Sequence, residues 1–176
     1  MRKIVAGLHM SLDGVVESPE RWSFDYFCDE VGQSIKDRRD ATGTLLLGRQ
    51  TYEEFAKIWP GQSGEIADFM NHTPKLVAST TLTSVDWAGS TLLEGDVAAA
   101  LTALKRQEGG NITVTGSATL VRSLLVAGVL DELHLLVCPI VLGAGKRLFD
   151  DSRVPLRLAA SEMFPTGVVH LTYGLA

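Results

Sequence analysis

Asn111-Ile112-Thr113-Val114-Thr115-Gly116-Ser117-Ala118-Thr119-Leu120 combines two kinds of local preference within ten residues. Its first half is rich in β-branched side chains and reads as a buried strand. From Ala118 to Leu125 the residues are helix formers with apolar positions at helical spacing. Gly116 and Ser117 are the joint. A strand that turns through glycine into a helix leaves backbone N–H groups free at the positive end of the helix dipole, an arrangement suited to an anion such as a pyrophosphate. Taken alone the stretch is equally what any tight turn of an α/β domain looks like.

The same alternation runs through the chain. Ile4 to Leu12 reads as a first strand, apolar on both faces as a central strand must be, and Ser11-Leu12-Asp13-Gly14 turns the chain outward. A loop through Pro19 leads to Ser23, which is placed to cap a helix carrying Phe24, Phe27, Cys28, Val31 and Ile35; charged residues from Lys36 to Asp40 mark its solvated end and Gly43 stops it. Thr44 to Leu47 is a short buried strand. Gly48-Arg49-Gln50-Thr51 leads into a helix with Tyr52, Phe55 and Trp59, closed by Pro60-Gly61. Thr51 and Glu54 have capping-box spacing, and Arg49 just before that helix start could offer its planar fork to a phosphate or be a solvated loop arginine.

Glu65 to Asn71 is weakly helical. Lys75 to Ser79 is a strand, and Ser79-Thr80-Thr81 supplies three hydroxyls at its carboxyl end, where ligands of open sheets bind. Leu92 and Leu93 continue the pattern before Asp96, which caps a helix of alanines and leucines ended by Gly109-Gly110. After the helix that ends at Gly128 the character changes. Glu132 to Val141 is a long strand, and Pro165-Thr166-Gly167 separates Leu156 to Met163 from Val168 to Leu175 as a hairpin. The expected architecture is α/β, with a mixed, mostly parallel central sheet and a C-terminal antiparallel hairpin, formed by residues 1–176 as one domain.

Composition narrows the function classes. The 176 residues, 45% hydrophobic, suffice for one domain that buries about 70% of its unfolded surface. A net charge of −5, with no basic run longer than Arg38-Arg39, argues against a nucleic-acid partner. Cys28 and Cys138 have no metal or redox spacing, so no metal site is expected. The apolar start is interrupted by His9 and Asp13, and the run from Leu133 to Leu142 contains Pro139; no membrane span is expected, and a cytoplasmic location is.

Two further motifs do not fit other nucleotide folds. Gly143-Ala144-Gly145-Lys146-Arg147 lacks the Walker pattern, because Ile140 stands where its first glycine belongs and Arg147 where Ser or Thr would follow. No Gly-x-Gly-x-x-Gly follows a strand. His9, His72, His134 and His170 have no Gly-x-Ser-x-Gly nearby and read as structural or solvated.

Five motifs together carry a resemblance. Ser11-Leu12-Asp13-Gly14, Leu47-Gly48-Arg49-Gln50-Thr51-Tyr52, Ser79-Thr80-Thr81, Thr115-Gly116-Ser117-Ala118-Thr119-Leu120, and Pro139 to Gly145 followed by Leu148-Phe149 occur in the order seen in the dihydrofolate reductase-like superfamily. Over essentially its whole length the chain most resembles the reductase domain of bifunctional riboflavin biosynthesis proteins and its stand-alone bacterial relatives. That resemblance implies the three-layer dihydrofolate reductase-like fold, often paired as a homodimer. It also implies NADPH as cofactor. Gly48, Arg49 and Thr51 match the cofactor motif, with Arg49 toward the adenosine 2′-phosphate and the helix start at the pyrophosphate. Ser79 and Thr80 match adenosine-side contacts. Gly116, Ser117, Ala118, Thr119 and Leu120 match a second phosphate turn, which in the folate enzymes holds a cis peptide. Leu12, Asp13 and Gly14 match the loop over the nicotinamide.

The substrate expectation is coarser. Folate reductases place their pterin-binding acid five residues after a tryptophan, whereas Phe27 lies five after Trp22. The zinc deaminase signatures of the bifunctional riboflavin enzymes are absent from the chain. The expected activity is NADPH-dependent reduction of a small heteroaromatic or carbonyl metabolite, pyrimidine- or pteridine-like, of the 5-amino-6-(5-phosphoribosylamino)uracil or dihydrofolate type. The alternative is a non-catalytic NADP(H)-binding protein of the same fold. Asp25, expected on the first helical turn, is the candidate acid for orienting the substrate or relaying a proton, Asp13 is the second, and Trp22 is the candidate wall of the substrate pocket.

Overall fold

Apolar strands separated by amphipathic helices must be covered on both faces. The computed structural model, which describes residues 1–176, meets that requirement with three layers. The elements in chain order are β1 (Ile4–Ser11), α1 (Asp29–Asp40), β2 (Thr42–Gly48), α2 (Arg49–Ile58), α3 (Glu65–His72), β3 (Lys75–Ala78), β4 (Ser90–Leu93), α4 (Val97–Lys105), β5 (Asn111–Val114), α5 (Ala118–Val126), β6 (Glu132–Cys138), β7 (Leu156–Met163) and β8 (Val169–Leu175). Eight strands form one sheet in the order β4-β3-β2-β5-β1-β6-β8-β7. The first six run parallel, while β8 is antiparallel to both β6 and β7. The mixed sheet and the C-terminal antiparallel pair agree with the expected fold class.

Side chains alternate across each strand, so the two faces have different character. On one face Ile4, Ala6, Leu46, Ile112, Val114, Leu133 and Leu135 form a continuous core with Leu101 of α4 and Val121, Leu124 and Leu125 of α5. The opposite face carries two smaller apolar clusters. Leu45, Leu47 and Val77 pack with Tyr52, Met70 and Trp87, while Leu136 and Cys138 pack with Val31, Phe164 and Val168. Between these clusters Gly7 and His9 of β1 and Thr113 of β5 leave the sheet without an apolar lining.

Two helix starts differ from expectation. Ser23 is buried and caps nothing. Residues Phe24–Tyr26 form a separate 3₁₀ turn, and Phe27, extended at φ −74° and ψ 138°, breaks continuity before α1 begins at Asp29. Phe24 and Phe27, counted in the apolar stripe, are 67% and 48% exposed. α2 begins at Arg49, two residues before the proposed cap; Gly48 takes the capping position, and Thr51 is buried inside the first turn. A third difference is Lys75, which opens β3 with 1% exposure. Its ammonium donates to the carbonyls of Asn71 (3.0 Å), Thr73 (2.9 Å) and Ala88 (3.1 Å) and lies 4.3 Å from the centre of the Trp87 ring. Lys75 therefore ties the end of α3 to the segment entering β4. Lys75→Met keeps the apolar stem but strands three carbonyls, so chemical denaturation should show a loss of about 1–3 kcal/mol.

Candidate functional site

β2 and β5 are hydrogen-bonded neighbours, with Leu46 opposite Val114, so the helices that leave their carboxyl ends start side by side. The two turns interlock. A Cβ on Gly48 would stand 2.5 Å from Oγ of Ser117, and one on Gly116 would stand 2.8 Å from Oγ1 of Thr51. Each glycine thus makes room for a hydroxyl of the other turn. Gly116 (φ 69°) and Ser117 (φ 49°) are both left-handed, a conformation costing a non-glycine residue about 1–2 kcal/mol. Strain of this kind concentrates where backbone must present groups to a ligand. The Gly116 and Ser117 amides find no acceptor in the protein, while Oγ of Ser117 caps α5 by accepting from the Leu120 amide at 3.3 Å. Every peptide bond is trans, unlike the cis turn of the folate enzymes.

A groove of about 780 Å³ runs along these turns. Gly48, Arg49, Ser79, Thr80, Ser117, Thr119 and Leu120 line it, together with Asp96 and Lys146. It joins a second cavity of about 490 Å³, which Thr51, Gly116 and Ala118 line; the two share Gln50, Ser117 and Lys146. Ten of the expected cofactor residues are therefore gathered along one continuous surface at the carboxyl end of the parallel strands. Arg49 lies at the start of α2 and pairs with Glu53 at 3.0 Å. The Ser79 hydroxyl is already used, since it accepts from the amides of Thr81 (3.1 Å) and Leu82 (3.0 Å) and shapes the turn after β3.

Five expected residues lie elsewhere. Leu12, Asp13 and Gly14 line neither cavity and are fastened to the loop after β6. The Leu12 amide donates to the Ile140 carbonyl at 2.8 Å, and the Gly14 carbonyl accepts from the Leu148 amide at 2.9 Å. The Asp13 carboxylate accepts from the Ser11 hydroxyl (2.7 Å) and the amides of Leu142 (3.1 Å) and Gly143 (2.9 Å), with Arg147 at 3.6 Å. The Ser11 hydrogen bond, followed by those amides, holds its carboxyl down to about 2, so it carries no proton to relay at neutral pH. Trp22 donates from its indole to the Glu17 carbonyl at 2.9 Å, packs against the cluster around Val31 of α1, and lines neither cavity. Asp25 sits exposed on the 3₁₀ turn and lines neither cavity, because the helix that would have aimed it inward starts four residues later.

Residues not anticipated take their places. Val16 to Glu20 line the second cavity in place of Leu12 to Gly14. Lys146, set aside with the incomplete Walker motif, stands where the two cavities meet, its backbone held by a hydrogen bond from its amide to Glu17 at 3.1 Å. His9 lines the second cavity; burial, and next the charge of Arg38, push its pKa down to about 4, leaving a neutral imidazole. Strand alternation already put His9 on the face of Gly7, but without α1 in place nothing marked that face as open.

The free amides of Gly116 and Ser117, with Arg49 and Lys146 along the same groove, offer donors to an anionic group, while Glu17, Glu20, Glu54 and Asp96 line the rest of the two cavities. Residues 2–170 match the family described as RibD C-terminal domain. The uncharacterized protein YwjB of Bacillus subtilis is 30% identical over 95% of this chain and 95% of its own. A pyrimidine reductase-like protein from Corynebacterium diphtheriae superposes with a TM-score of 0.70, covering 99% of this chain and 92% of its own at 14% identity. Dihydrofolate reductase from Enterococcus faecalis, solved in complex with NADP(H), superposes with a TM-score of 0.63 at 16% identity, covering 98% and 96%.

The anchoring role of Asp13 has a pH signature. Its folded-state pKa is depressed from 3.8 to about 2, so its contribution to stability is present above the unfolded value and lost as pH falls through the folded one. Urea melts of wild type and Asp13→Asn should differ by a constant amount from pH 7 to about pH 4, then converge toward about pH 2. A difference unchanged at low pH would deny the carboxylate that role.

Proposed function

Because the chain belongs to the RibD C-terminal domain family, we propose that it is an NADPH-dependent reductase that delivers a hydride to a small heteroaromatic or carbonyl metabolite. The observation that carries this reading is the pair of interlocked glycine turns, with unpaired amides at Gly116 and Ser117 and cations at Arg49 and Lys146 along the same groove. Ser117, Ala118 and Thr119 would hold the pyrophosphate at the start of α5, Arg49 the 2′-phosphate, and Ser79 and Thr80 the adenosine side. Bound there, NADPH would supply the hydride.

The chain's own work is positioning. Gly116 presents backbone without a side chain between the groove and the second cavity, so a flat acceptor can approach closely. Val16 to Glu20, pinned by the Trp22 indole and by the Lys146 amide on Glu17, form the outer wall that limits water. Neutral His9 offers a hydrogen bond without adding charge.

Arg49 decides the choice between the two nicotinamide cofactors. A charge-assisted hydrogen bond to the extra phosphate is worth about 1.5–3 kcal/mol, or about ten- to a hundredfold in affinity. The exposed pair with Glu53 opposes this only weakly, since such pairs contribute about 0–1 kcal/mol. Calorimetric titration should therefore show NADPH binding about ten- to a hundredfold more tightly than NADH, and Arg49→Gln should bring the two affinities together. Equal affinities in the wild type would remove the role of Arg49; binding of neither would end the reductase reading. Tight NADPH binding with no loss of nicotinamide absorbance on any pterin or ribityl-pyrimidine would favour the non-catalytic reading, which the distance of Asp25 from the groove also favours.

We also propose that two copies pair along β7, the free edge of the sheet, where Leu158 and Met163 are 49% and 79% exposed. Sedimentation should show a dimer that Met163→Lys weakens; a monomer at high protein concentration would refute this.

A further inference from the structure

The uncovered strip between the two apolar clusters leads inward from the second cavity. Past Gly7, His9 and Thr115, which border both, lies a cavity of about 260 Å³ between α1 and α3. Ile35, Ile66, Phe69 and Met70 give it apolar walls. Its only charged lining groups are Arg38 and Arg39, with no carboxylate among the lining residues. Arg39 is neutralised by Glu65. Arg38 is not: it has no carboxylate within ion-pair distance, and its guanidinium donates to no group of the protein.

This guanidinium lies against Gly7, where an added Cβ would come within 2.3 Å of its Nε and 2.6 Å of its Cζ. On its other side is a separate cavity bordered by Glu30, Asp37, Glu132 and Glu162. None of these carboxylates reaches Arg38, and Glu132 is already held by Lys3 at 2.6 Å and His134 at 3.2 Å. The three imidazoles near it, His9, His134 and His170, are driven toward neutrality first by burial, with the charge of Arg38 acting in the same direction. A partly buried cation with no internal partner is a cost to the fold, and a planar fork facing a cavity is built for two oxygens in a plane.

We propose that Arg38, seated on Gly7 at the inner end of this cavity, determines substrate specificity by pairing with a planar oxyanion, so that the acceptor is a small flat molecule carrying a carboxylate or an equivalent pair of oxygens. A pocket for a cationic amidine-like ring requires an acid at this position, and here the charge has the opposite sign. With its anionic end on Arg38, the acceptor extends past His9 toward Gly116, the side on which the cofactor groove lies. Only the word substrate rests on the reductase reading; the anion site itself is tested without nicotinamide.

The test uses the full chain and two probes of one shape, benzoate and its neutral analogue benzamide. Titrations followed by the Nε–H signals of the arginines and by calorimetry should show benzoate shifting Arg38 and binding about ten- to a hundredfold more tightly than benzamide. Arg38→Gln should abolish that preference. Gly7→Ala keeps the charge but removes its seat, and should lower the preference for benzoate over benzamide by a similar factor. Inorganic phosphate and acetate separate a planar aromatic site from a general anion site: either anion matching benzoate overturns the proposal. So do equal affinities for the two probes, a shift at Arg39 instead of Arg38, or no shift at all. Stability gives a second readout, because Arg38→Met should leave the unfolding midpoint unchanged or raised. A lowered midpoint would mark Arg38 as a structural residue.

Discussion

The helices that leave the adjacent parallel strands β2 and β5 start so close together that each turn gives way sterically to the other, through Gly48 and Gly116, and each void is filled by a hydroxyl from the opposite turn. The consequence is electrostatic as well as steric. The amino ends of α2 and α5 are brought to one place, so their dipoles reinforce, and the left-handed pair Gly116-Ser117 turns its amides away from internal acceptors. Arg49, Thr51 and Thr119 take their positions from that junction. A side chain larger than hydrogen at position 48 or 116 would collide with the hydroxyl of the opposite turn and disturb the cradle.

The sheet divides its labour between faces. Beneath α4 and α5 the core is unbroken, and most of the burial that stabilises the molecule lies there. The other face is split by Gly7, His9 and Thr113 into two smaller cores, which costs apolar contact but leaves the second cavity bordering the space between α1 and α3. Placing such a defect opposite the continuous core lets the fold tolerate it.

Most of the architecture was legible in the sequence because period and punctuation agree there. The β-branched run Ile112 to Val114, the alternating strands and the glycines after them fix the order of elements, and Asp96 caps α4 as its position suggests, accepting from the amides of Ala98 and Ala99 at 2.9 and 3.2 Å. The groove residues were legible for the same reason, since they follow strand ends. Errors arose where helical spacing was coincidental. Phe24 and Phe27 mimic an apolar stripe, yet the chain between them and α1 is extended, and with the shift of the helix start Asp25 moves out to solvent. Asp13 illustrates a different limit. Its type and position fit catalysis, but besides Ser11 it accepts from the amides of Leu142 and Gly143, 129 and 130 positions away, and those partners make it an anchor. Lys146 and Arg38 likewise acquire meaning only from segments remote in sequence.

The strand order also bears on how the chain is made. β1 is synthesised first, yet its neighbours are β5 and β6, and Ile4 pairs with Ile112, 108 positions later (112 − 4). At typical rates of translation, the eight residues of β1, which lie in the middle of the finished sheet, wait on the order of ten seconds for their partners to emerge. During that interval Ile4–Ser11 is an unpaired strand with two exposed edges, open to other nascent chains and to chaperones alike. The cradle at the far ends of β2 and β5 can form only once β5 has arrived, so a shortened chain ending before Asn111 would hold neither the continuous sheet nor the cradle.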